Sequence, residues 1–152
     1  MSGAEDPKKQ CQREARIAAM DLLARREHSR RELVSKLERR FVPDVVAATV
    51  DTLADEGLQS DQRFAEAYLR QRSERGYGQL RIRQEMRQRG VSDQLITEAE
   101  AACEVDWYAL LERVAKRKFG DAEPADLSEK AKRQRFLMYR GFSTEQIRDV
   151  LD

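Results

Sequence analysis

The sequence is short of nearly everything that builds a chemical site. Its 152 residues include one histidine, His28, and two cysteines, Cys11 and Cys103, far apart in the chain. A zinc site takes its ligands as closely spaced Cys/His pairs, so a metal centre of that kind is excluded. No leader peptide is expected, and the two thiols are accordingly expected to be reduced and unpaired. No apolar run approaches the ~20 residues of a membrane span, and the N-terminal MSGAEDPKKQ has no apolar core of a signal peptide. The expectation is a cytoplasmic protein with no membrane partner. Runs of alternating β-branched residues are missing too, and only three prolines and seven glycines interrupt the chain. An all-α fold follows.

What fills the chain is charge. Asp, Glu, Lys and Arg make up 38% of the residues and the apolar share is 40%, where about 25% and about 45–50% are usual. So thin a core suits an elongated array of small helical units better than one globule. The net charge is only +1, which argues against a chain that is basic on every side and built for bare nucleic acid. Sign is segregated instead: residues 1–61 stand at −1, residues 91–106 hold five acids and no cation, and residues 107–140 stand at +4. Alternating signs suit a partner that is itself mixed, such as a protein with nucleic acid bound.

Residues 61–91 combine the most regular apolar spacing with the densest positive charge. Phe64, Ala65, Tyr68 and Leu69 form one stripe of a helix that Ser60 or Asp61 can cap. Gly76-Tyr77-Gly78 breaks it, and a second helix with Leu80, Ile82 and Met86 ends at Gly90. Along these helices lie Arg63, Arg70, Arg72, Arg75, Arg81, Arg83, Arg87 and Arg89; against three glutamates over residues 62–91 they leave a local charge of +5. The guanidinium fork pairs bidentately with carboxylates and phosphates, so the stretch is suited to an anionic partner. A solvated helix face accounts for the same residues.

The chain repeats one plan. A disordered tail over residues 1–14 is expected before a first helix from Ala15 to Arg26. Ser29 and Glu32 then form a capping box with His28 and Leu33 as its staple, and a third helix starts near Pro43 and stops at Gly57. The second unit ends with Val91-Ser92 opening a helix through Ile96. The third opens at a cap on Asp106, and a loop at residues 120–124 leads to a helix from Ser128 to Arg140. Gly141-Phe142-Ser143 follows, with a second capping box at Ser143 and Gln146. Arg40-Phe41-Val42-Pro43, Arg89-Gly90-Val91-Ser92 and Arg140-Gly141-Phe142-Ser143 align with one another. The boundaries expected are therefore three three-helix units over residues 15–60, 61–105 and 106–152, each packed mainly on its neighbours. Phe41 replaces the glycine of the other units, so its turn should differ.

No catalytic constellation stands out. Arg81 occupies the place of the third glycine that a dinucleotide loop would need after Gly76-Tyr77-Gly78. The single histidine sits in a capping turn with no nucleophile placed beside it, and acids such as Asp55/Glu56 and Glu98/Glu100 read as a solvated face. No enzyme activity and no cofactor are expected. Tyr68, Tyr77, Trp107, Tyr108 and Tyr139 have the chemistry to stack bases beside arginines, while helical spacing favours core packing for Tyr68 and Trp107. Tyr77, without apolar neighbours in sequence, is the aromatic expected to be most exposed.

These residues also carry a resemblance. Arg26, His28-Ser29, Glu32-Leu33 and Lys36-Leu37, then Gly57-Leu58, Asp61, Arg63-Phe64-Ala65, Tyr68, Arg72, Arg75-Gly76-Tyr77-Gly78, Ile82, Glu85 and Gly90, then Phe136-Leu137, Arg140-Gly141-Phe142-Ser143 and Ile147, resemble the RecX family of bacterial regulatory proteins from Ala15 onward. The resemblance implies a non-enzymatic, monomeric modulator of the RecA recombinase. Such a protein binds RecA filaments on single-stranded DNA, lies in their groove, and restrains ATPase, strand exchange and coprotease activity by limiting filament growth or promoting disassembly. Its contacts with single- and double-stranded DNA would be weak. On this reading Arg72, Arg75, Tyr77, Arg81, Arg83, Arg87 and Arg89 face RecA or DNA, Lys132, Arg135 and Arg140 extend the contact, and Gly76, Gly78, Gly90 and Gly141 set the turns. The rival is a helical-repeat protein that binds DNA directly without RecA; a general helical adaptor is a third reading.

Overall fold

The computed structural model describes residues 6–152. Among them lie nine α-helices and no strand: α1 (Pro7–Arg25), α2 (Arg30–Leu37), α3 (Pro43–Asp55), α4 (Asp61–Glu74), α5 (Gln79–Gln88), α6 (Asp93–Cys103), α7 (Trp107–Phe119), α8 (Leu127–Arg140) and α9 (Thr144–Leu151). They form three tandem units, α1–α3, α4–α6 and α7–α9, each closed around an apolar cluster of its own.

Capping explains where most helices start. Ser29 and Ser143 each accept the N–H three residues on, while Glu32 and Gln146 reach back to the cap, satisfying two orphan donors per helix. The side chains of Ser60, Ser92, Asp106 and Asp126 cap α4, α6, α7 and α8. At the N-terminus the Asp6 side chain accepts from the Lys8 N–H and Pro7 takes the first helical position, so α1 starts well before Ala15. The tail expected over residues 1–14 is thus helical from Pro7, and residues 1–5 lie outside the described residues. Residues 7–14 carry no apolar stripe, and that stripe is the signal a sequence reading follows.

Packing corrects a second expectation. Helices pack chiefly on the others of their own unit; the first joint is polar, whereas Val105 and Trp107 pack on both the second and the third clusters. In the first unit Ala15 and Ala19 bring α1 close over Leu33, Val46, Val50 and Leu53, all at 0% exposure. Each such leucine contributes about 1.5–3 kcal/mol by leaving water.

The aligned turns show why Phe41 stands apart. At Gly141, φ is +105°, and the Phe142 N–H reaches the Leu137 carbonyl at 3.2 Å; Gly90 and Val91 close α5 in the same way on Met86. A side chain at that backbone angle is strained. Phe41 avoids it: its N–H bonds the Leu37 carbonyl at 2.9 Å and its ring turns into the first core.

Candidate functional site at the junction of the second and third units

α5 begins after Gly78, which has no side chain to cap it. The acceptors come from the next unit. The Gly78 N–H donates to the Arg140 carbonyl at 2.7 Å and the Leu80 N–H to the Gly141 carbonyl at 3.0 Å. The N-terminus of α5 therefore meets the C-terminus of α8, and the unpaired donors of one helix satisfy the unpaired acceptors of the other. Only glycine permits this approach, because a Cβ on Gly78 would lie 2.4 Å from the Gly141 carbonyl carbon.

Around this joint sit Arg72, Arg75, Arg81 and Arg140 of the cations singled out in the sequence, and Arg83, Arg87 and Arg89 lie further along α5 or just past its end. Their carboxylate partners are mainly internal. Glu85 accepts from Arg72 Nε and Nη2 at 3.0 and 2.9 Å and from the Tyr68 hydroxyl at 3.1 Å, with Arg81 Nε at 3.5 Å. Burial alone would raise the Glu85 carboxyl, but the hydrogen bond and charge of Arg72, with Tyr68 and Arg81, outweigh it and hold Glu85 below its ordinary value. Arg83 pairs with Glu100 at 2.9 Å, Arg87 with Asp93 at 2.7 Å, and Arg89 bonds the Glu85 carbonyl at 3.0 Å with Glu32 at 3.5 Å. Glu100, read from sequence as part of a solvated face, is instead largely covered by Arg83 and Gln79.

Tyr77 corrects the expectation of an exposed aromatic. It is half-buried beneath three guanidiniums, those of Arg72, Arg81 and Arg140 at 3.8, 4.6 and 4.9 Å from its ring centroid. Tyr139 is the most exposed aromatic among the described residues, at 74%, with Arg81 against its ring at 4.9 Å. Tyr68 and Trp107 pack on the second core, as helical spacing suggests. Lys132 and Arg135 project from α8 into solvent without a hydrogen bond or ion pair to any described residue.

On another side of the same joint, the end of α4, one face of α7 and α8 enclose a cleft of about 450 Å³. Its rim carries Arg75, Arg113, Arg117, Lys118 and Arg140 against one acid, Glu74, and Leu110, Val114 and Phe136 supply apolar lining. The Arg75, Arg113 and Arg117 side chains are unpaired among the described residues. Arg140 bonds the Arg75 carbonyl at 3.2 Å and, with Lys118, lies over the Phe136 ring, each at 5.2 Å. Sequence reasoning missed Arg113, Arg117 and Lys118. The signal was there, in a +4 segment with Arg113 and Arg117 four residues apart on one helix face.

His28, the one residue with acid–base chemistry near neutrality, is buried in the first joint. Its Nδ1 lies 3.0 Å from the Arg26 carbonyl and its Nε2 3.0 Å from Lys36 Nζ. A neutral ring with the proton on Nδ1 satisfies both, and burial lowers its pKa. Cys11 and Cys103 are both free thiols. Among the described residues no group of three or more His, Cys, Asp or Glu could hold a metal ion, and no helix is long and apolar enough to cross a membrane.

Family models for the first, second and third three-helix domains of RecX match residues 15–53, 60–99 and 104–151. The chain belongs to the RecX family of regulatory proteins. It is 50% identical over 134 residues to the regulatory protein RecX of Halorhodospira halophila (strain DSM 244 / SL1), covering 88% of this chain and 83% of the relative. To that of Pseudomonas entomophila (strain L48) it is 49% identical over 137 residues, covering 90% and 88%. Crystal structures share the fold: RecX from Lactobacillus salivarius at a TM-score of 0.72, 22% identity and 94% and 96% coverage, and a regulatory protein RecX at 0.76, 24%, 99% and 80%. The joint of this RecX-family chain concentrates cations. Its cations are fixed by stacking and ion pairs, and the unpaired ones gather in the cleft and along α8.

Proposed function

We propose that this protein binds RecA filaments on single-stranded DNA and restrains them, limiting filament growth or promoting disassembly, as a cytoplasmic regulator without enzyme activity of its own. Membership of the RecX family supports the class of partner. The observation that carries the contact is the exposed, unpaired cationic pair Lys132 and Arg135 on α8, beside a joint whose backbone bonds hold the second and third units together. Arg72, Arg83, Arg87 and Arg89 act chiefly through their internal carboxylates, and Arg75 and Arg140 border the contact.

The test is the single-strand-dependent ATPase of RecA, titrated with this protein well below one per RecA. Inhibition at such ratios is expected, and the K132E/R135E double variant should weaken it about tenfold without lowering the melting temperature. Undiminished inhibition by that variant removes the α8 cations from the contact.

One observation favours the alternative of direct DNA binding: Tyr139 offers an exposed ring beside Arg81, an arrangement on which a base can stack. Steeply salt-dependent binding to bare DNA, with no effect on RecA, would favour it.

A further inference from the structure

The cleft at the second joint differs in kind from the α8 cations. Its cations stand around an apolar floor, and its acid, Glu74, stands on the rim. A phosphate backbone is a continuous anion without apolar groups on its outer edge, so the Val114 and Phe136 surface would gain nothing from it. A base stacks flat and needs a whole open aromatic face, but Lys118 and Arg140 lie over the Phe136 ring and Phe119 meets it edge-on at 5.5 Å between centroids; the part of Phe136 that lines the cleft beside Val114 suits a side chain rather than a base. Carboxylates on either side of an apolar side chain match both halves of the cleft: the side chain leaves water against Val114 and Phe136 while the guanidinium forks take the carboxylates.

We infer that this cleft captures an acidic peptide segment of a partner protein, with an apolar side chain seated on Val114 and Phe136 and flanking carboxylates on Arg75, Arg113 and Arg117. Those three arginines are available for it, having no acidic partner among the described residues. The inference rests on the proposed filament function only for which protein supplies the segment.

The probe is a short rhodamine-labelled peptide with Asp and Glu on both sides of a central Leu, read by fluorescence anisotropy with the full chain. Wild type should bind it saturably. R113E/R117E should weaken binding about tenfold or more, and Ser in place of the peptide's Leu should weaken it several-fold. Both arginines are exposed, so the variant should keep its helicity and melting temperature. R25E/R39E, the same charge change in the first unit, should leave affinity unchanged. Equal affinity for wild type and R113E/R117E overturns the inference. So does full competition by oligodeoxythymidine together with indifference to the Leu, which would make the cleft a phosphate groove.

Assaying R113E/R117E against the RecA ATPase separates the two proposals. Lost peptide binding with intact inhibition supports the cleft and detaches it from the filament contact. Lost inhibition with intact peptide binding overturns the acidic-peptide inference and leaves the filament reading standing.

Discussion

The two joints of the chain solve one problem with different materials. In each, the second helix of a unit has donors at its N-terminus satisfied by the following unit. At the first joint a side chain does this: the Arg30 N–H donates to Asp61 Oδ1 at 2.7 Å, and Gln59 Nε2 bridges Asp61 Oδ1 and the His28 carbonyl at 3.0 and 3.3 Å. Arg63–Glu27 at 3.1 Å and Arg89–Glu32 at 3.5 Å add ion pairs. At the second joint backbone carbonyls of α8 do it, and two glycines in contact admit them. A joint of side chains can reorient by rotamer changes and respond to pH; one of backbone bonds is set by sterics. The contrast places the adjustable joint beside the first unit and the fixed one beneath the cationic surface.

The largest expected effect is steric and falls on the second joint. Gly78 has an ordinary φ of −84°, so G78A acts only by driving a Cβ against Gly141. It should cost about 1–3 kcal/mol, seen as separation of one melting transition into two. G57A is the contrast, with nothing within 4 Å of its Cβ and only the left-handed φ of +76° to strain it, at about 1 kcal/mol.

Next comes the first joint's acceptor. D61A strips the Arg30 N–H of its partner and should cost about 1–2 kcal/mol by chemical denaturation, with D61N recovering most of it.

Acid should then distinguish the joints by range. The folded pKa of His28 lies below its unfolded value of about 6.5. The unfolded chain binds that proton first, so stability present above 6.5 is lost as pH falls from there through the folded value. Glu85 is also lowered, but from the carboxylate range, so its contribution persists until pH falls below about 4.3 and is lost through its own folded value. Denaturation between pH 7.5 and 5 should weaken the wild type with a slope that H28N lacks. E85Q should remove slope only in the lower range.

The smallest effect belongs to an exposed ion pair of the first joint. E27Q should shift stability by less than about 0.5 kcal/mol, a change that high salt abolishes.

How much of this was legible in the sequence depends on the distance between partners. Capping boxes at Ser29/Glu32 and Ser143/Gln146, the glycine turns and the three-unit plan rest on residues within a few positions of one another, and all could be read directly. Phe41 announced a different turn because the aligned positions hold glycine. Arginine density around Gly76-Tyr77-Gly78 marked the right neighbourhood but not which cations are free, because Glu85 and Glu100 reach their partners from 13 and 17 residues away. Gly78 carried an unused clue, since a helix that starts on glycine without a capping side chain needs its acceptor from elsewhere. Nothing local pointed to Gly141 as its neighbour.

The most direct test of the account is the RecA ATPase on single-stranded DNA, titrated with G78A beside wild type. Each unit has its own core, so circular dichroism should report the same helicity for both chains. G78A, with its joint loosened, should lose most of the substoichiometric inhibition proposed for the wild type. Inhibition equal to wild type by a G78A chain whose units melt separately would contradict the account.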